Sequence, residues 1–238
     1  MPHQPRPADV PAPPWTVTRR SGTSAARAPL TLDRIVDAAM AIIDMEGSAA
    51  VTMRRVAGDL GVVASSLYVH VRNREDLLSL ALERVVEEIG LPEITGDWAE
   101  DLKRHFTRMQ RVLSAHGDIA AYNFAAFPPA PTAVATTERL LSILLDAGVP
   151  ARIAAWSLHR LVLYTTADVY EGWRLSSLGA DDWIEPVRDY FRSLPRDRFP
   201  AITGNVEVLL DAESDDRFEL GLSMLIAGIA VYIEDIEG

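Results

Sequence analysis

The feature that most constrains this chain is the crowding of helix-start and helix-stop signals into residues 52–78. Thr52 precedes Val56 and Leu60, Gly61 follows as a stop, and Asn73-x-x-Asp76 opens a further apolar run at Leu77 and Leu78. The stretch left between them, about residues 64–70, is too short for a helix that stands alone in water. It must be braced by the helix before it across a tight turn at Gly61, where glycine admits a left-handed backbone. Two short helices joined in this way form a helix-turn-helix, whose second member is of a size to enter a DNA major groove.

The rest of the chain reads as helix throughout. Thr31 is a suitable N-cap for a first helix with Asp33 in its first turn, and Ile35, Ala38, Ala39, Ile42 and Ile43 recur on one face until Gly47. From Asn73, a capping-box-like start, the residues Leu77, Leu78, Ala81, Leu82, Val85 and Ile89 carry an apolar stripe to Gly90 and Pro92. Helical patterns follow at 98–115, 132–147, 150–178, 182–194 and 215–236, separated by Pro- and Gly-rich breaks, and no strand pattern competes. The fold class expected is therefore all-α. A disordered arm is expected over 1–29, rich in Pro, Ala, Ser, Thr and Arg, then a helix-turn-helix head over 30–76 and a helical-bundle body over 77–238. Arg19, Arg20 and Arg27 make the arm mildly basic, so it is either a solvated tail or an arm that reaches an adjacent minor groove.

The formal charge of −11 is unevenly spread. Residues 19–77 hold eight arginines and seven acids, whereas residues 78–238 hold fourteen basic and twenty-six acidic side chains. Phosphates are thus drawn to one end and repelled by the rest. Cysteine is absent, which excludes disulfides and thiolate metal sites. Neither a membrane-length apolar run nor an apolar leader is visible, so a cytoplasmic, soluble protein is expected. There is no glycine-rich phosphate loop, His-x-x-x-His or Gly-x-Ser-x-Gly, and an enzyme is not expected.

The string Thr52-x-Arg54-x-Val56-Ala57, Leu60-Gly61-Val62, Leu67-Tyr68-x-His70-Val71-x-Asn73-Arg74-x-x-Leu77-Leu78 resembles the DNA-binding head of the TetR family of bacterial repressors. The remainder, including Arg217-Phe218-Glu219-x-Gly221-Leu222, is similar to the helical body of the tetracycline-repressor branch. The resemblance implies a homodimeric transcriptional repressor that holds a palindromic double-stranded operator and is released by a small-molecule effector. A regulator controlled by a protein partner, or an activator without an effector, is the alternative.

The DNA-binding residues implied are Thr52, Arg54, Ser65, Ser66, Tyr68, Val69, His70 and Arg74. Arg54 has a planar fork suited to guanine or to phosphate, Val69 suits a thymine methyl, and Arg74 and Thr52 suit phosphates. The short helix lacks Gln, Asn, Arg and Lys, and Val63 offers no capping hydroxyl, so direct base readout should be lean and DNA shape should contribute.

In the body, His105, Met109, Tyr122, Phe124, Phe127, Trp156, Tyr164 and Trp173 suggest a pocket for a flat or hydrophobic effector, with His105, His159, Asp168 and Glu171 as polar orienters. The tetracycline branch uses a histidine shortly after its fifth helix to hold a magnesium–drug chelate. The matching stretch here, residues 117–122, has none, so a ligand bound without a metal is expected and no cofactor is implied. For the dimer, Phe218, Leu222, Leu225, Ile226, Ile229 and Ile233 recur at helical spacing in the last helix, with Gly221 and Gly228 permitting close approach.

Overall fold

The computed structural model describes residues 29–123, 131–210 and 215–234. Helix α1 (Leu32–Glu46) leads through a 3-10 turn (Ser48–Ala50) to α2 (Met53–Leu60), α3 (Ala64–Leu67) and α4 (Arg74–Ile89). Then come α5 (Trp98–Ser114), α6 (Ala120–Asn123), α7 (Pro131–Asp146), α8 (Ala151–Leu178), α9 (Ala180–Ser193), α10 (Pro200–Gly204), α11 (Val206–Leu209) and α12 (Asp215–Glu234). The described residues contain no strand, and the protein is all-α.

The head is built from local signals. The hydroxyls of Thr31 and Thr52 accept from the amides of Arg34 (3.3 Å) and Arg55 (3.1 Å), and Asn73 accepts from that of Asp76 (2.8 Å). Each satisfies an amide that the helix itself leaves without a partner. Gly61 ends α2 at φ 65°, ψ 33°, and the next amide, of Val62, reaches back to the Ala57 carbonyl at 2.9 Å. That turn sets the angle between α2 and α3. Ile35, Ile43, Val56, Leu67, Leu77 and Leu78 are all fully buried and form the head's core, so the four-residue α3 is held by Leu67 rather than by its own length.

In the body, the 28-residue α8 is the central strut, about 42 Å long at 1.5 Å per residue. Helices α5, α6, α7 and α12 pack along it, with Leu102, Phe106, Leu144, Leu161 and Leu222 buried among them. Helix α4 lies against α1 on one side and α5, α6 and α7 on another, which makes it the bridge between head and body.

Several boundaries differ from the sequence reading. The short helix expected over 64–70 closes at Leu67 and continues as a turn, with the amide of His70 bonded to the Leu67 carbonyl. Pro150 is the N-cap of α8, one place ahead of the first turn. Helices α6, α10 and α11, four or five residues each, lie where only breaks were expected. Residues 1–28 of the expected arm, with Arg19, Arg20 and Arg27, lie outside the described residues, as do Phe124 and Phe127.

Candidate DNA-binding face and effector site

One side of the head is bare. Thr52, Arg54, Ser65, Tyr68, Val69 and His70 are exposed and Ser66 is half-buried, whereas Val56, Ala57, Leu67 and Val71 point inward. Val69, at 83% exposed, and Tyr68, at 55%, are large side chains presented to solvent by a frame that does not need them. Arg54 has no hydrogen bond or ion pair among the described residues. Its neighbour Arg55 is spent within the head, 2.7 Å from Glu46 and 3.2 Å from Asp59. The unengaged fork beside the α2 N-terminus is therefore Arg54.

Arg74 departs from the expectation that it faces a phosphate. Its Nε donates to the Val51 carbonyl (2.8 Å), its Nη2 to the Ser48 carbonyl (2.8 Å) and its Nη1 to the Tyr122 hydroxyl (3.2 Å). The physical reason is local. The turn over 47–51 leaves carbonyls beside the first turn of α4, Val51 and Ser48 are themselves buried, and a five-donor guanidinium satisfies two of them at once. Arg74 is a brace between α4, the entry to α2 and α6.

Three further ties, invisible in the sequence, join the end of α1, the turn that follows it and α4 to the segment between α5 and α6. The buried Asp118 carboxylate accepts from the Ser48 amide (2.5 Å) and the Ser48 hydroxyl (2.7 Å). Gly117, at φ 54°, lies so close to α1 that a Cβ there would stand 2.6 Å from the Ile43 carbonyl oxygen. His116 bridges Asp44 of α1 through Nδ1 (3.0 Å) and Glu88 of α4 through Nε2 (3.1 Å). Burial opposes its charged form, but the hydrogen bonds to Asp44 and Glu88 and their charges outweigh this and hold the imidazole above its ordinary 6.5.

The effector residues expected from sequence do not converge on one wall. His105 and Met109 are buried on α5, with the His105 ring edge-on to Phe106 at 5.4 Å. Burial, with the nearby Arg108 charge, lowers the His105 pKa to about 4, so this imidazole is neutral at pH 7. Tyr164 donates to the Phe218 carbonyl at 3.0 Å and stacks on the Phe218 ring. Together with Asp168 and Glu171 it lines an open cavity of about 540 Å³ that also holds Arg174 and Arg217, and Arg217 pairs with Glu171 at 2.6 Å. Trp173 stacks on Tyr170 and abuts Gly47. Trp156 and His159 are exposed on the outer side of α8, so neither is a wall of an interior pocket; Trp156 lies under the Arg152 guanidinium at 4.5 Å.

The dimer stripe read from α12 is also turned. Phe218, Leu222, Ile226 and Ile229 are 4%, 0%, 7% and 4% exposed, so they are core of this chain, and Leu225 and Ile233 are half-buried. At Gly221 the close approach is to Tyr164 of α8, whose hydroxyl a Cβ would strike. The outward face carries Leu220, Met224, Val231 and Tyr232. A groove of about 400 Å³ runs between α8 and α12, lined among others by Trp156, Leu161, Met224, Leu225 and Tyr232. Because α12 is apolar almost all round, its periodicity could not tell which face meets the core.

Among the described residues no cluster of His, Asp and Glu could hold a metal ion, and no helix is long and apolar enough to cross a membrane.

Two family models match the chain: that of bacterial regulatory proteins of the tetR family over residues 35–81, and that of the tetracyclin repressor-like C-terminal domain over 91–233. Among curated relatives, an HTH-type transcriptional regulator of Saccharopolyspora erythraea is 30% identical over 207 residues, covering 84% of this chain and 85% of the relative. The HTH-type transcriptional repressor DrrR1 of Streptomyces coeruleorubidus is 28% identical, covering 94% and 86%. Among solved structures, apo ActR from Streptomyces coelicolor superposes with a TM-score of 0.79 at 35% identity, covering 89% of this chain and all of that one. ActR in complex with actinorhodin superposes with a TM-score of 0.78 at 36% identity, covering 85% and 96%.

Proposed function

Because the chain belongs to the TetR family and is a DNA-binding transcriptional regulator rather than an enzyme, we propose that it is a homodimeric repressor released from a palindromic operator by a small hydrophobic or aromatic effector. The observation that carries the reading is the bare face of the head. Arg54, Ser65, Tyr68, Val69 and His70 are exposed on a frame whose stability rests on other residues, as expected of side chains kept for a duplex.

In this reading residues 30–76 are the head and 77–238 the body, and the protein works in the cytoplasm. Two heads held rigidly, roughly one helical turn (about 34–36 Å) apart, bind far more tightly than one through effective concentration. The outward face of α8 and α12 with its groove supports the pairing. The aromatic side chains of the body support the effector, and so does the neighbouring ActR, which was solved with actinorhodin bound. The effector acts by favouring one spacing of the two heads, since only unequal affinity for the two states moves the balance between them.

Selection of duplexes from a random pool, followed by fluorescence anisotropy, tests this. A two-fold symmetric site bound by two chains is expected, with release by an aromatic compound that also raises the melting temperature of the free protein. Arg54→Ala should cost about 1–3 kcal/mol on that site if the fork reads guanine; equal loss on random duplex makes it a phosphate contact. Tight operator binding that no compound disturbs would remove the effector from the account.

A further inference from the structure

We infer that Arg72, rather than Arg74, is the arginine that grips a phosphate at the start of α4, and that Asp76 holds it in reserve until DNA arrives. The inference rests on the DNA-binding reading of the head and assigns one contact within it.

The arginines of the head and of α4 divide by what already holds them. Arg55 is bound by Glu46 and Asp59, Arg84 by Asp33 (2.8 Å) and Asp37 (3.3 Å), and Arg74 by two backbone carbonyls and the Tyr122 hydroxyl. Drawing Arg74 toward a phosphate would take the side-chain donor from the Val51 carbonyl, leave the Ser48 carbonyl with the Val51 amide alone, and detach α4 from the entry to α2, so the head would lose its brace just as it bound.

Arg72 has no such duty. Its side chain is 86% exposed, among the described residues its guanidinium pairs with Asp76 alone (2.7 and 3.3 Å), and an exposed i,i+4 pair of this kind is weak in water. Asp76 does not depend on that guanidinium. Its second oxygen accepts from the Arg72 amide at 2.9 Å, and its own amide is held by Asn73, so the turn keeps its shape when the side chain swings away. Arg72 follows His70 by two residues with the buried Val71 between them, and His70 and Arg72 are both exposed, so Arg72 adjoins the bare face along the chain. A phosphate offers the fork two acceptor oxygens in place of one, in a setting without water's full screening.

The test is the salt dependence of duplex binding by the full chain, read by anisotropy between 50 and 200 mM KCl. Each phosphate contact contributes about 0.9 to the slope of log K against log salt, so Arg72→Ala should flatten it by about 0.9 per head, or about 1.8 for a pair. The loss should be equal on operator and on random duplex, and the melting temperature should stay native. Arg74→Gln should leave the slope as in wild type and lower the melting temperature. Asp76→Asn, which frees Arg72 while keeping an acceptor for its amide, should tighten binding severalfold at low salt. An unchanged slope in Arg72→Ala overturns the assignment even if Arg74→Gln proves too unstable to measure. A wild-type chain that binds no duplex at all overturns the DNA-binding reading instead.

Discussion

Asp118→Ala tests whether the head is tied to the body where the structure ties it. Asp118 is 8% exposed and Ser48 is 5% exposed, and the two bonds between them, at 2.5 and 2.7 Å, are the only ones that the Ser48 amide and the Ser48 hydroxyl make among the described residues. Removing the carboxylate leaves a buried N–H unsatisfied and forfeits a charge-assisted bond to the hydroxyl. Such losses are worth about 1–3 kcal/mol each, and because the hydroxyl can turn to another acceptor the sum should lie near 3 kcal/mol. For a chain of this size about 2–4 °C of melting temperature accompanies each kcal/mol, so a fall of about 6–12 °C is expected in circular dichroism melts. Asp118→Asn keeps an oxygen for the amide and an NH2 for the hydroxyl, and should fall by about a third as much. Hydrogen exchange at the Ser48 amide should accelerate in the alanine variant first. Melting within about 2 °C of wild type would refute the reasoning, because it would mean that water replaces the carboxylate freely and that this contact does not hold the turn over 47–51.

The two shifted histidines predict opposite pH responses. For His116, held above 6.5 in the fold, the stabilisation is fully present below pH 6.5 and is lost as pH rises through the raised value, so His116→Gln should flatten the decline in melting temperature on that alkaline side. For His105, lowered to about 4, the fold binds the proton less readily than the unfolded chain, so stability falls from pH 6.5 down to 4 by about 3 kcal/mol; His105→Leu should remove that share of the acid sensitivity, and unchanged curves would reject the buried neutral imidazole. At the outward face of α12, Met224→Glu should give a natively melting monomer in sedimentation, whereas Ile229→Glu, at a site 4% exposed, should unfold the chain; a Met224→Glu dimer would move the pairing surface elsewhere.

What could be read in advance was what neighbours along the chain decide. Thr31, Thr52, Asn73 and Gly61 act within four residues of themselves, so the head's caps and its turn were legible, and the long apolar periods of α4, α5 and α8 gave the body. Helices α6, α10 and α11 are shorter than the cooperative length of a helix and owe their form to the surface they lie on, which leaves no periodic mark. Arg74 was legible as a long cation at the start of α4 but not as a brace, because its acceptors are backbone carbonyls, and carbonyls have no identity in a sequence. Ser48 and Asp118 are seventy residues apart, and neither belongs to a pattern that predicts the other. The orientation of Trp156 and His159 on α8 was hidden for the same reason as the faces of α12, since a helix packed on several sides offers more than one apolar stripe.

The central claim is that the bare face of α2 and α3 is the surface that meets a duplex, and Val69→Asp probes it with least disturbance to the fold. Val69 is 83% exposed, so the substitution should leave the melting temperature within about 1 °C of wild type. A carboxylate set against phosphates and base edges should lower operator affinity by roughly a hundredfold or more in anisotropy titrations. A natively melting Val69→Asp protein that binds the operator as tightly as wild type would contradict the account.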